Sequence, residues 1–271
     1  MYRQPEICSC TPEQWYGALS GIPMERTLDL ACGEGDFAAE LLAEVGSITC
    51  LRGIDVDPNH LSEAKRYFLT CCPSHVSFDF FLGNLETLVT GGHGKLKGPW
   101  NTVLLGISLH HIRNIDSLLP LIYDLVHPGG RLIITEMVSD GLTPPEIVAR
   151  DLHHLKAWVD RSIGIDHAPT FTTTRILDLI STVQHTRNVQ ACEAYLVSDQ
   201  PSITWDRTAL DARKDFIETY LLHCKDDPEY SRMKREFHRV SQELIRCGYR
   251  EPPRLSIILT KPPNHTGDLS W

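Results

Sequence analysis

Apolar positions along the chain follow two alternating rhythms. Short, nearly unbroken apolar runs occur at 27–31, 50–55, 76–82, 102–107 and 131–135. Most are followed by a stretch whose apolar residues lie three or four apart. The first rhythm predicts buried strands and the second amphipathic helices. Phe37, Leu41 and Val45 share one helix face; Leu61, Ala64 and Phe68 share the next. Ile115, Leu118, Ile122 and Val126 line a third, after Asn114. Asp57-Pro58 reads as an N-cap with a first-turn proline, and His127-Pro128-Gly129-Gly130 as a helix stop. Gly91, Gly92, Gly94 and Gly98 mark a loop. Strands alternating with single helices, each strand apolar throughout, predict a parallel sheet covered on both faces.

The rhythm changes after residue 136. Thr143-Pro144-Pro145-Glu146 is a capping box, opening a helix with Val148, Leu152, Leu155 and Val159 inward. A loop at 162–174, a helix at 175–184 and a strand at 189–197 follow. Two charged helices carry Leu210, Ile217, Leu221 and Cys224, then Met233, Phe237, Val240 and Leu244. Gly248 ends the second, and a strand spans 255–260. The whole predicts a doubly wound, mostly parallel seven-stranded α/β sheet with helices on both faces, plus a helical cap. Residues 1–25, polar and irregular, form an N-terminal cap segment. The core covers 26–136, and 137–261 holds further helices, a helical insertion at 206–247 and the final strands. Residues 262–271 are a polar tail.

Composition narrows the partners. The chain has 271 residues, 42% of them hydrophobic, enough to bury a full core. A net charge of −9, with both signs scattered, argues against a nucleic-acid backbone as partner. No stretch is apolar enough to span a membrane. Residues 1–10 hold no apolar run, so no secretory leader is expected. The nine cysteines contain no CxxC pair and show neither metal-like nor disulfide-like spacing. Reduced thiols in a cytoplasm are expected, and no metal site.

The chemistry begins at Leu28-Asp29-Leu30-Ala31-Cys32-Gly33-Glu34-Gly35-Asp36. Glycines between a strand and a helix let backbone approach a ligand closely. Gly33, Gly35 and Ala38 also fit a dinucleotide fingerprint, with Asp55 at the distance of a ribose-binding acid. The wider series, however, resembles the class I S-adenosylmethionine-dependent methyltransferase family. Asp29, Ala31, Gly33 and Gly35 match its first motif, and Gly53-Ile54-Asp55 its second strand end. Leu82-Gly83-Asn84-Leu85-Glu86 matches the segment after its third strand, with Asn84 where the family usually has Asp. Leu105 to Ile112 resembles its fourth strand and turn, and Pro128 to Ile134 the entry to its fifth.

The resemblance implies S-adenosylmethionine as cofactor and S-adenosylhomocysteine as product. It implies a binding set of Asp29, Ala31, Gly33, Gly35, Asp55, Val56, Asn84, Leu85 and Ile107. The acid at Asp29 would sit near the methionine ammonium, and Asp55 would grip the ribose hydroxyls. For catalysis the candidates are His111, His154 and His167, at the carboxyl edge of the sheet or on the expected cover. Asp151 and His154, three apart on a helix, are a candidate pair. No base-flipping motif or basic stripe is present, so a small-molecule acceptor is expected, its nucleophile being O, N, S or C. The alternatives are a methyltransferase acting on protein or RNA, and a non-catalytic cofactor-binding scaffold. In the latter the insertion would mediate assembly, and a homodimer would form there.

Overall fold

The apolar runs become strands and the spaced ones helices. A computed structural model describes residues 4–91, 96, 98–198 and 203–264. In chain order they form β1 (Ile7–Cys10), α1 (Pro12–Leu19), β2 (Arg26–Leu30), α2 (Asp36–Glu44), β3 (Cys50–Asp55), α3 (Pro58–Cys71), β4 (Ser77–Leu82) and α4 (Leu85–Thr90). Then come β5 (Trp100–Gly106), α5 (Ile115–Asp124), β6 (Val126–Met137), α6 (Pro144–Ser162), α7 (Thr173–Thr186), β7 (Ala191–Val197), α8 (Arg207–Leu221), α9 (Tyr230–Cys247) and β8 (Arg254–Thr260).

One sheet takes the order β1-β7-β8-β6-β5-β2-β3-β4. Only β8 runs against its neighbours; every other described pair is parallel. The parallel chain reverses direction of winding at β2 and β5, where open α/β sheets place ligands at the carboxyl edge. Among the described residues no helix is long and apolar enough to cross a membrane.

The sheet has eight strands rather than the expected seven. Residues 1–25 are not irregular: β1 pairs with β7 from Ile7↔Ala194 to Cys10↔Val197. A four-residue edge strand draws its stability from backbone pairing, so its side chains carry no apolar signature. Trp15 of α1 anchors this corner, buried with its ring 5.3 Å from that of Tyr195. Strand β6 also begins earlier than expected, at Val126. The helix stop at 127–130 enters the sheet through a register shift between Trp100↔Val126 and Thr102↔Arg131. The glycine loop opens on the short helix α4; its Gly92 and Gly94 lie outside the described residues.

Alternation within each strand splits the core. Val103, Leu105, Leu132 and Ile134 face α4, α5 and α7, while Leu104, Ile133 and Ile258 face α1, α2 and α3. A third cluster joins α6, α8 and α9 through Leu152, Val159, Ile217, Met233, Phe237 and Val240, the stripe that the spacing predicts. This helical layer is tied to the sheet's carboxyl edge. Arg250 pairs with Glu146 at 3.0 Å, and Val138 donates to the Pro253 carbonyl at 3.0 Å.

Close packing under the site is tightest at Gly53. A Cβ there would stand 2.3 Å from the Phe80 ring and 2.9 Å from the Cys32 sulfur. Gly53→Ala should therefore destabilise by about 1–3 kcal/mol, as overpacking does. Exposed Gly17, inside α1 with open space around it, should tolerate alanine with a gain of about 0.4–1 kcal/mol. Urea unfolding of both variants checks the opposite signs; equal midpoints would refute this account of the β3–β4 packing.

Candidate active site

The first half of the site is built by the ends of β2, β3, β4 and β5. After β2 the chain turns through three left-handed residues, Ala31 (φ 52°), Gly33 (φ 54°) and Gly35 (φ 84°). Space lies open where a Gly33 side chain would stand, while a Cβ on Gly35 would strike Phe68 at 2.9 Å. The turn is held from β3. Asp55 Oδ2 accepts from the Gly33 amide at 2.8 Å, and its Oδ1 from the Asp57 amide at 2.9 Å. Beyond it, Val56 exposes its side chain.

Asp29 lies beneath this turn, 1% exposed, and its Oδ2 has no hydrogen-bond partner. Burial, with the Asp55 charge nearby, pushes its carboxyl up to about 8. At the end of β5, Ile107 adopts φ 49°, a conformation that costs a β-branched residue free energy. Such outliers persist where the surroundings over-determine them, commonly at ligand sites. Asn84 caps α4, its Oδ1 accepting from the Thr87 amide at 3.0 Å. One of the two oxygen lone pairs is thereby used, and the amide NH2 remains exposed. Leu85 is buried in the core beneath it.

The second half is a cluster of histidines on three segments. His110 follows β5, His153 lies on α6, and His167 lies in the loop after α6. Nε2 of His153 is 3.1 Å from Nε2 of His110 and 3.1 Å from Nε2 of His167. Behind His110 stands Glu136 from the end of β6, with Oε2 2.9 Å from Nδ1; its other oxygen accepts from the Met137 amide at 2.8 Å. Behind His167 stands Asp160, 2.5 Å from Nδ1. Burial favours a protonated Asp160, but hydrogen bonds from His167, Lys156 and Tyr220 outweigh it and hold the carboxyl low. Burial, then the neighbouring His110, pushes His153 down to about 2, so this ring is neutral.

Of the histidines expected from the sequence, His167 is in this cluster. His111 lies at its margin: the residue is exposed, and its ring is tilted against those of His167 and His110 at centroid distances of 4.1 and 4.3 Å. His154 points away from the cluster. Its Nε2 accepts from the Thr170 amide at 3.1 Å and meets the Thr170 hydroxyl at 2.8 Å, tethering the 163–172 loop. Asp151 does not pair with His154 but with Arg150 and Arg239. In each His-His doublet the first residue enters the cluster. Position on α6 explains one case: His153, Lys156 and Asp160 share a face, and one residue further the helix has turned by about 100°.

A cavity of about 500 Å³ adjoins the cluster. Leu152, Phe216, Ile217 and Pro252 give it apolar walls, and His153, Lys156 and Thr170 line it as well. The wall from α8 belongs to the 206–247 insertion. The loop carrying His167 is fixed by Ala168, whose amide donates to the His110 carbonyl at 2.7 Å.

Residues 28–132 match the family model described as a methyltransferase domain. The chain is 27% identical over 135 residues to a demethylmenaquinone methyltransferase of Lactococcus lactis, covering 50% of each chain. It is 30% identical over 115 residues to the demethylmenaquinone methyltransferase of Oceanobacillus iheyensis, covering 41% of this chain and 44% of that one. The chain thus spans about half the length of these curated relatives. Among solved structures, a cyclopropane-fatty-acyl-phospholipid synthase-like protein from Lactobacillus casei superposes with a TM-score of 0.64 at 18% identity, over 92% of this chain and 88% of that one. An S-adenosylmethionine-dependent methyltransferase from Thiobacillus denitrificans, solved with S-adenosylhomocysteine, gives 0.52 at 18% identity, over 93% and 92%. Residues 28–132 thus resemble the methyltransferase-domain family, and the fold of the chain is the Rossmann-like one of these solved structures.

Proposed function

We propose that this chain transfers a methyl group from S-adenosylmethionine to a small molecule held in the cavity beside His153. The observation that carries the reading is Asp29, a buried carboxyl oxygen left without a partner below a left-handed glycine turn. A buried acceptor of this kind calls for a donor or a cation, and the ammonium of the cofactor's methionine part supplies both. The open space at Gly33 admits the ligand backbone to backbone. Asp55 presents its carboxylate edge to the ribose, exposed Val56 packs against the base, and Ile107 closes the opposite wall.

When bound, the cofactor supplies a methyl group already activated by its sulfonium. What remains for the protein is alignment. Leu152, Phe216 and Ile217 bury the apolar body of the acceptor, and its nucleophilic atom faces the polar end at His153 and Lys156. Helix α8 excludes water from this end. A cavity of about 500 Å³ matches small-molecule sites in size. Relatives named for demethylmenaquinone support the same acceptor class.

Asp55→Ala removes a carboxylate that accepts charge-assisted hydrogen bonds, each worth about 1.5–3 kcal/mol. It should weaken S-adenosylhomocysteine binding at least tenfold, by roughly 1.4 kcal/mol or more, and, because two turn amides lose their acceptor, lower the unfolding free energy in urea by about 1–3 kcal/mol. Calorimetry measures the affinity; an unchanged constant in a folded variant would assign the ribose to another residue.

Asp29 gives a second, pH-dependent test. Free protein keeps this carboxyl protonated up to about 8, whereas the unfolded chain loses the proton near the ordinary carboxylate range. The folded state therefore holds the extra proton, and stability falls as pH rises from about 4 to about 8. A cation bound beside Asp29 reverses the preference and releases the proton. Affinity for S-adenosylhomocysteine should rise between about pH 6 and about 8, with proton release seen as a dependence of binding heat on buffer ionisation enthalpy. Asp29→Asn should abolish the release; equal release in that variant would place the ammonium elsewhere.

A further inference from the structure

Three imidazole nitrogens meet in one place. One nitrogen from each of His110, His153 and His167 lies within 4.8 Å of the other two. The outer nitrogens of the two buried rings are already committed. His110 Nδ1 faces the Glu136 carboxylate, and His167 Nδ1 faces the Asp160 carboxylate. Carboxylates only accept, so in a neutral ring each Nδ1 carries the hydrogen and each Nε2 turns a lone pair inward. Both lone pairs face Nε2 of His153, which has at most one hydrogen to donate. Three ring nitrogens so close together, two of them on rings that are 2% exposed, call for a shared proton or a cation between them.

We propose that these three nitrogens bind a divalent transition-metal ion of the zinc class. Zinc–nitrogen bonds of about 2.0–2.1 Å in a tetrahedron set the ligand nitrogens about 3.3 Å apart, and two of the three separations here are 3.1 Å. Hydrogen-bonding the far nitrogen of a ligating histidine to a carboxylate fixes its tautomer and raises its basicity. Glu136 and Asp160 do this for two of the three rings. A set of only nitrogen donors disfavours magnesium and calcium, which take oxygen. Three protein ligands leave a fourth position, the pattern of catalytic rather than structural zinc. His153 is the member that lines the cavity, so that position opens toward the bound small molecule. A hydroxyl or thiol placed there would lose its proton more readily. This last consequence rests on the methyl-transfer reading; metal binding itself does not.

The test uses the full chain, freed of metal by a chelator and titrated with cobalt(II), a coloured stand-in for zinc. One equivalent should bind with the visible absorption of a four- or five-coordinate nitrogen site and be displaced by one equivalent of zinc. His153→Ala changes the half-buried ligand and should weaken binding by roughly 100-fold or more. Should that variant not fold, Asp160→Asn keeps all three ligands and should weaken binding about 10–100-fold. Two results would overturn the proposal: no stoichiometric binding by the unaltered chain, or undiminished binding in either folded variant. The cluster would then be a proton-sharing network, with one ring charged against its carboxylate. Calorimetry with S-adenosylhomocysteine on the same samples keeps the two readings apart. Cofactor binding without metal binding overturns the metal site alone, and metal binding without cofactor binding overturns the transfer reading alone.

Discussion

A carboxylate taken out of water must find donors, a cation or a proton, and the carboxyl edge of this sheet buries four of them. Asp55 is satisfied by backbone amides of the turn that it shapes. Glu136 has one backbone amide and one imidazole. Asp160 is held by His167, Lys156 and Tyr220 together. Asp29 has nothing for one oxygen and rises to about 8. The first three arrangements are rigid because every oxygen is engaged. The fourth is incomplete, and it lies under the one turn whose backbone is left-handed at three places.

The two halves of the site differ in how they are held. The cofactor half is local: strand, turn and helix are adjacent in sequence, and Asp55 reaches back only 22 residues to Gly33. The histidine half is assembled from afar, with 26 residues between His110 and Glu136 and 43 between His110 and His153. Its precision depends on α6 being fixed against α8 and α9. The third apolar cluster does that, and Arg250 with Glu146 ties the start of α6 to the sheet.

This difference decides what could be read from the sequence. The fold was legible because apolar runs at strand length alternate with helical spacing over 26–136, and the faces of α6, α8 and α9 appear as written in Leu, Val and Ile. The β1 strand was not, since Ile7-Cys8-Ser9-Cys10 shows no contrast of faces and takes its place from the edge of β7. Asn84 reads as an amide open to a ligand, but its oxygen also serves as a helix cap. For the histidines, the sequence offers two doublets and no means of choosing within them. A usable signal was present nonetheless. Glu136 follows the apolar run Leu132-Ile133-Ile134 near the end of β6, a buried acid where only a paired one survives. His153 and Asp160, seven apart on one helix, share a face that Lys156 joins. Cysteine spacing, by contrast, carries no trace of this cluster, because its nitrogens converge only through tertiary structure.

The insertion is more than a cover. Tyr220 of α8 donates its hydroxyl to Asp160, and the Lys156 ammonium, paired to the same carboxylate at 2.8 Å, stands 5.0 Å from the centre of the Tyr220 ring. The orientation of Asp160 therefore depends on α8 being in place, and the orientation of His167 depends on Asp160. Phe216, stacked on Tyr220 at 5.8 Å, also lines the cavity. One helix thus both bounds the cavity and orients the carboxylate that partners His167.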